Sequence, residues 1–300
     1  MSAPILIIGS GGREAALYWA LRGSARTLVA PGNGGVRAED CRPAKCLSEW
    51  IALATELHPR VVVVGPEAPL AEGIADALTA LGIPVFGPSR AAARIETDKA
   101  FAKAFFLRHS IPTAAFETFT DIAAAEAHLR ARDATRVVIK AAGLCAGKGV
   151  VLPASLEEAL VTVRGMLVER VFGEAGATVV IEDLVTGEEA SVLAFCDGTG
   201  AVAPLPAAQD HKRAFEFDKG LNTGGMGAFA PAPLVDAALM EEIVARVLVP
   251  AAKGLAAEGM PFVGVLFAGL MIDPVSRAIN VLEFNARLGD PETQTLLPRA

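Results

Sequence analysis

With 300 residues, 52% hydrophobic and 20% charged side chains and a net charge of −7, the chain can bury the core of about two domains, and a disordered polypeptide is excluded. The acidic balance, without a Lys/Arg cluster, excludes a broad nucleic-acid or anionic-membrane surface, and no apolar stretch reaches the length of a membrane span. Four unpaired cysteines, four scattered histidines and an N-terminus opening directly into Pro4 to Ile8 argue against a zinc site or a leader, so a reducing cytoplasmic setting with small-molecule partners is expected.

In chain order, Ile5 to Ile8, Thr27 to Ala30, Arg60 to Val64 and Ile83 to Phe86 read as buried strands, and Leu70, Ile74, Leu78 and Leu81 recur at helical spacing. This predicts an open parallel α/β sheet whose ligands sit beyond the carboxyl ends of its strands. Those ends carry Gly9 to Glu14, Pro31-Gly32-Asn33 and Gly65 to Pro69. Glu14 stands where a dinucleotide fingerprint needs its third glycine, so NAD is not expected. The first turn reads either as an anion cradle at a helix start or as a merely tight turn.

A helix pattern from Glu96 to His109 ends before Pro112. A small α+β unit follows: helix Asp121 to Arg132, strand Val137 to Lys140, helix Ser155 to Glu169 opened by the box Ser155-x-x-Glu158, and strand Thr178 to Leu184. Beyond it come antiparallel-looking strands at Ala190 to Cys196, Ala201 to Leu205, Val263 to Ile272 and Ala278 to Asn285, with a helical stretch from Asp236 to Glu258 interrupted at Pro250.

Lys140 ends an apolar strand and opens a glycine-rich loop through Gly147, Lys148 and Gly149; two lysines with free backbone amides can grip phosphates, although a solvated hairpin has the same composition. Its spacing is not that of a Walker loop. Glu182 to Glu189 offers polar backbone and carboxylates for an adenosine, or is an ordinary strand-turn-strand. Gln209 to Arg213 and Asn222 to Gly227 crowd acid, base, imidazole and glycine in a manner that is costly to order without a ligand. Finally, period-two geometry aims Glu283 and Asn285 at one face; two neighbouring oxygen donors suit a cation that keeps its remaining positions for waters and phosphates.

These segments, collinear over essentially the whole chain, resemble the ATP-grasp superfamily and, within it, the phosphoribosylamine-glycine ligase family. The resemblance implies an N-terminal open parallel α/β domain (1–97) and an ATP-grasp α+β domain (98–300) with a small lid (about 117–184). It implies ligation of glycine to 5-phosphoribosylamine through glycyl phosphate, at the expense of ATP, in purine biosynthesis. Glu283 and Asn285 would hold Mg2+ or Mn2+, Lys99, Lys140, Gly147 and Lys148 the ATP phosphates, and Glu182, Leu184 and Glu189 the adenosine. Thr223, Gly224 and Gly225 would lie against the phosphates, Asp210 and Lys212 near the reacting centre, and Gly11, Gly12, Pro66 and Glu67 on the phosphoribosylamine side. Arg287 and Asp290 would orient the substrate carboxylate and amine.

Three features depart from the family pattern: Ala15 replaces a usual His, Ala142 a usual Asp, and the Pro before Asn222 is missing. The family's C-terminal domain is also absent from the sequence, which would leave a surface open to a packing partner. Two alternatives remain: another ATP-grasp carboxylate-amine ligase, or a nucleotide-binding relative without activity.

Overall fold

The structure is a computed structural model describing residues 3–145, 148–216, 219–223 and 225–299. The first sheet is parallel, in the order Thr27–Pro31, Ile5–Gly9, Val61–Val64, Val85–Phe86. Helices cover it, so its strands carry apolar side chains on both faces and Leu6, Ile7, Ile8, Leu28, Val29 and Val62 are fully buried. The helical pattern from Leu70 to Leu81 is two helices, Glu67–Glu72 and Ile74–Ala80, broken where Gly73 takes φ 89°, a left-handed geometry that a side chain would strain. The expected helix from Glu96 to His109 also divides. The Asp98 carboxylate accepts the Phe101 N–H (2.9 Å), so it caps a new helix, Lys99–Arg108, behind Arg90–Thr97.

A four-stranded antiparallel sheet follows, in the order Phe116–Phe119, Val179–Asp183, Val137–Ala141, Val150–Val151. Helices Ile122–Arg130 and Leu156–Leu167 bury Leu129 and Val163 against Ile139 and Ile181 in a core of its own. Ser155 Oγ accepts the Glu158 N–H (3.2 Å), as its spacing predicts, while Glu158 reaches back to the Ala154 amide (2.8 Å).

The third sheet, antiparallel, runs Val202–Pro204, Glu188–Asp197, Val263–Ile272, Ile279–Asn285. Its last pairing slips: Gly269 faces Glu283, but Leu270 faces Val281, leaving Leu282 as an extra residue. That bulge changes which face each side chain takes. Ile279 and Val281 are buried before it and Phe284 after it, where Phe284 packs edge-on to Phe106 at 5.4 Å. Without the slip, strict alternation would turn Glu283 to the core side with Val281. Helix Ala237–Ile243 continues through a π turn, Val244–Leu248, into Val249–Ala257. The expected interruption is therefore a widened turn just before Pro250, which relieves the ring that an α-helical interior would not admit. Among the described residues, no helix is long and apolar enough to cross a membrane.

Candidate active site

A cavity of about 380 Å³ lies between the two antiparallel sheets, with Glu67 and Glu96 from helices of the first domain on its wall. Thirteen of the residues singled out in the sequence line it: Glu67, Lys99, Lys140, Glu182, Leu184, Glu189, Asp210, Lys212, Thr223, Glu283, Asn285, Arg287 and Asp290. Gly11, Gly12, Pro66, Lys148 and Gly225 are not on its wall, and Gly147 and Gly224 lie outside the described residues.

Among the described residues, the Glu283 carboxylate forms no hydrogen bond or ion pair. Burial pushes its carboxyl up, but Lys140, Lys212, Lys99 and Arg287 outweigh burial and hold it below the usual carboxylate range. Asn285 presents Oδ1 on the same face, where one lone pair takes the Arg287 Nη2 donor (3.1 Å) and the other is open. No group of three or more His, Cys, Asp or Glu side chains among the described residues could hold a metal by itself. One free carboxylate and one amide oxygen fit a hard cation completed by phosphate oxygens, and do not fit zinc.

Arg287 was expected to meet substrate, but most of its guanidinium is already committed. Nη2 also pairs with Glu96 (2.9 Å), Nε faces Glu67 (3.3 Å) and Nη1 donates to the Leu288 carbonyl (3.2 Å). Glu96 in turn accepts the Ala286 N–H (2.7 Å). The first task of Arg287 is thus to buttress Asn285 and to pair the end of the strand Ile279–Asn285 with Glu67 at the start of helix Glu67–Glu72.

Lys140 and Glu182 lie on adjacent strands, where Val138 faces Glu182, so the two side chains meet diagonally as an ion pair. Glu182 also pairs with Lys103, which leaves its carboxylate occupied by lysines and not open toward a ribose. The Leu184 N–H is likewise spent, donating to the Arg136 carbonyl (2.8 Å). The next amide, Val185, donates to no described residue, and Val185 lines the cavity.

Lys212 Nζ donates to Glu189 (2.7 Å) and lies 3.9 Å from Asp210. Burial alone would lower its proton affinity, but Glu189 and Asp210 reverse that and hold the ammonium charged. Burial raises the carboxyls of Asp210 and Glu292, and the Asp210 charge raises Glu292 further. Glu292, hydrogen-bonded by Ser191 Oγ (3.0 Å), is a cavity residue that the sequence reading passed over, as are Glu96 and Cys145. Its signal was present in the acid two residues after Asp290.

The glycine turn is not an open anion cradle. The Gly11 N–H donates to Glu14 Oε2 (2.5 Å), and the Arg13 N–H to Asp290 Oδ2 (3.3 Å). Carboxylates of the chain itself lie at the helix start, which fits the tight-turn reading of these glycines. The glycines instead admit close packing: a Cβ on Gly12 would stand 2.7 Å from the Gln294 amide, and one on Gly65 would collide with Glu14.

A lysine-bearing antiparallel sheet facing a second antiparallel sheet that ends in a free carboxylate and an amide oxygen defines an ATP-grasp enzyme. The family model described as phosphoribosylglycinamide synthetase, N domain, matches residues 3–96, and that of the ATP-grasp (A) domain matches residues 97–293. The chain belongs to the phosphoribosylglycinamide synthetase family. It is 48% identical over 98% of its length to a phosphoribosylamine–glycine ligase of Pasteurella multocida, covering 70% of that protein. To that of Caulobacter vibrioides it is 50% identical over 98% of its length, covering 69%. A crystal structure of the Thermotoga maritima ligase is similar at TM-score 0.85 and 30% identity, over 98% of this chain and 71% of that one. ATP with a divalent cation belongs to this fold.

Proposed function

We propose that the protein joins glycine to 5-phosphoribosylamine, giving glycinamide ribonucleotide, ADP and phosphate, with 1–97 as the substrate domain, 98–300 as the ATP-grasp domain and a lid over about 117–184. The observation that carries the reading is the partner-free, ionised Glu283 beside Asn285, facing Lys99 and Lys140 across one cavity. A glycine carboxylate oxygen attacks the γ-phosphorus of ATP, the bond to the ADP oxygen breaks, and glycyl phosphate forms. The amine of phosphoribosylamine then attacks the glycyl carbonyl, and phosphate leaves.

Mg2+ held by Glu283 and Asn285 would supply neutralisation of charge on the phosphate oxygens, a role that Mn2+ also fits. Lys99 and Lys140 hold the phosphates in line, because phosphoryl transfer needs alignment and charge neutralisation more than a protein nucleophile. The Val185 amide and the Leu184 side chain receive the adenine. Lys212, kept charged by Glu189 and Asp210, meets the anionic reacting centre. Asp290 takes the amine, while Gly11, Gly12, Pro66 and Glu67 shape the phosphoribosyl side. Closing the lid excludes water that would hydrolyse glycyl phosphate.

The test is ADP release with glycine and phosphoribosylamine, compared with other acid and amine pairs. Turnover confined to this pair supports the reading; turnover only with a different pair removes it.

Cys145 gives an independent check on the nucleotide. It is partly exposed on the cavity wall, and burial pushes its thiol up. Cys46 is exposed, whereas the buried Cys196 thiol is pushed up to about 11. At pH 8, iodoacetamide is expected to label Cys46 readily and Cys196 hardly at all. ATP at ten times its dissociation constant should slow Cys145 labelling roughly tenfold, as read by peptide mass mapping. Equal labelling with and without ATP would place the nucleotide elsewhere.

A further inference from the structure

Lys103 stands one helical turn after Lys99, where a solvated lysine would be ordinary, yet it is only 3% exposed. Its Nζ donates to Thr113 Oγ1 (2.7 Å) and pairs with Glu182. Thr113 Oγ1 donates in turn to the carbonyl of Val281 (2.7 Å), two residues before Glu283. Glu182 gives its other oxygen to Lys140, whose Nζ also reaches the carbonyl of Leu282 (3.3 Å). Helix Lys99–Arg108, two strands of the lid sheet and the strand that ends in Glu283 and Asn285 therefore meet at one buried Lys-Glu-Lys triad.

Packing does not require charge here. Replacing buried ion groups by apolar ones of similar volume is often neutral or stabilising, and burial works against the ammonium of Lys103 itself. The sum of charges supplies a reason for keeping it. Two ammoniums and one carboxylate leave one net positive charge at the cavity, with Lys140 and Glu182 on its wall and Lys103 behind them, whereas Lys140 and Glu182 alone would cancel.

We propose that Lys103 is a positioning residue for the nucleotide: by sharing Glu182, it keeps Lys140 from being neutralised, so that the triad offers net positive charge to the triphosphate. The inference rests on the ATP site described above. It makes Glu182 an electrostatic counterweight within the triad.

The experiment is ATP binding with Mg2+ and without glycine or phosphoribosylamine, measured by calorimetry on the wild type, Lys103→Met, Glu182→Gln and the double variant. Affinity is expected to follow the net charge of the triad. Lys103→Met, at zero, binds roughly tenfold more weakly than the wild type or worse. Adding Glu182→Gln restores one positive charge and recovers most of that loss, and Glu182→Gln alone binds at least as well as the wild type.

A purely structural role predicts that the double variant is as weak as Lys103→Met or weaker. That result, or wild-type affinity in Lys103→Met, overturns the inference. Should Lys103→Met not fold, the double variant, in which Lys140 keeps its charge on the cavity wall without Glu182, is read alone; a tenfold loss of ATP affinity in it overturns the inference equally. A wild type that does not bind ATP would remove the functional reading itself, which a flat series with normal wild-type binding would leave standing.

Discussion

Glu283→Ala is expected to lower kcat for ADP release on the order of 10³-fold, because the several kcal/mol of charge stabilisation that a bound cation would supply depend on the carboxylate proposed to anchor it. The fold should survive. The Glu283 carboxylate makes no hydrogen bond or ion pair among the described residues, and four cations lie near it, so its removal breaks no partner's bond. The thermal midpoint should stay within a few degrees of the wild type. Glu283→Gln separates charge from shape: an isosteric amide that is nearly as damaging as Ala would assign the loss to the negative charge. Near-normal turnover in either variant, at any Mg2+ concentration, would remove Glu283 from the metal site.

The site was legible where chemistry coincides with strand ends and was hidden where it depends on distant partners. Glu283 and Asn285 could be read because they share parity on a strand, although the slip at Leu282 that turns them into the cavity leaves no mark in hydrophobic periodicity. The four strands of the parallel sheet were legible for the same local reason: Val61–Val64 has no polar face to confuse. Short pairings such as Gln209–Asp210 with Ala228–Phe229 were not, since two-residue strands carry no period.

Lys103, at helical spacing from Lys99, looks like a solvated face. Only the fold brings Glu182 and Thr113 to it. The same holds for Glu96, whose partners Ala286 and Arg287 lie about 190 residues away. At the glycine turn the sequence left an anion cradle and a tight turn equally open, and Glu14 and Asp290, which supply the anions from within, could be placed there only by the fold.

Arg287→Met is expected to cost about 3–5 kcal/mol of stability as well as activity, because it leaves the buried Glu96 carboxylate without its cation. This should appear as a thermal midpoint lowered on the order of 10 °C. The loss should depend on pH in a definite direction. Burial already raises the Glu96 carboxyl and Arg287 opposes that, so removing Arg287 raises it further. An acid whose folded value lies above its unfolded value of about 4.3 binds the extra proton in the folded state, so stability falls as pH rises from the unfolded value through the folded one. The variant should therefore approach the wild type near pH 4 and fall furthest behind above neutrality; a gap independent of pH would exclude the stranded carboxylate as its cause. Adding Glu96→Gln should restore most of the stability by removing the buried charge. Activity should not return with it, because Asn285 Oδ1 still lacks the Nη2 donor that holds it toward the cation. Recovery of both together would mean that Arg287 serves the fold alone.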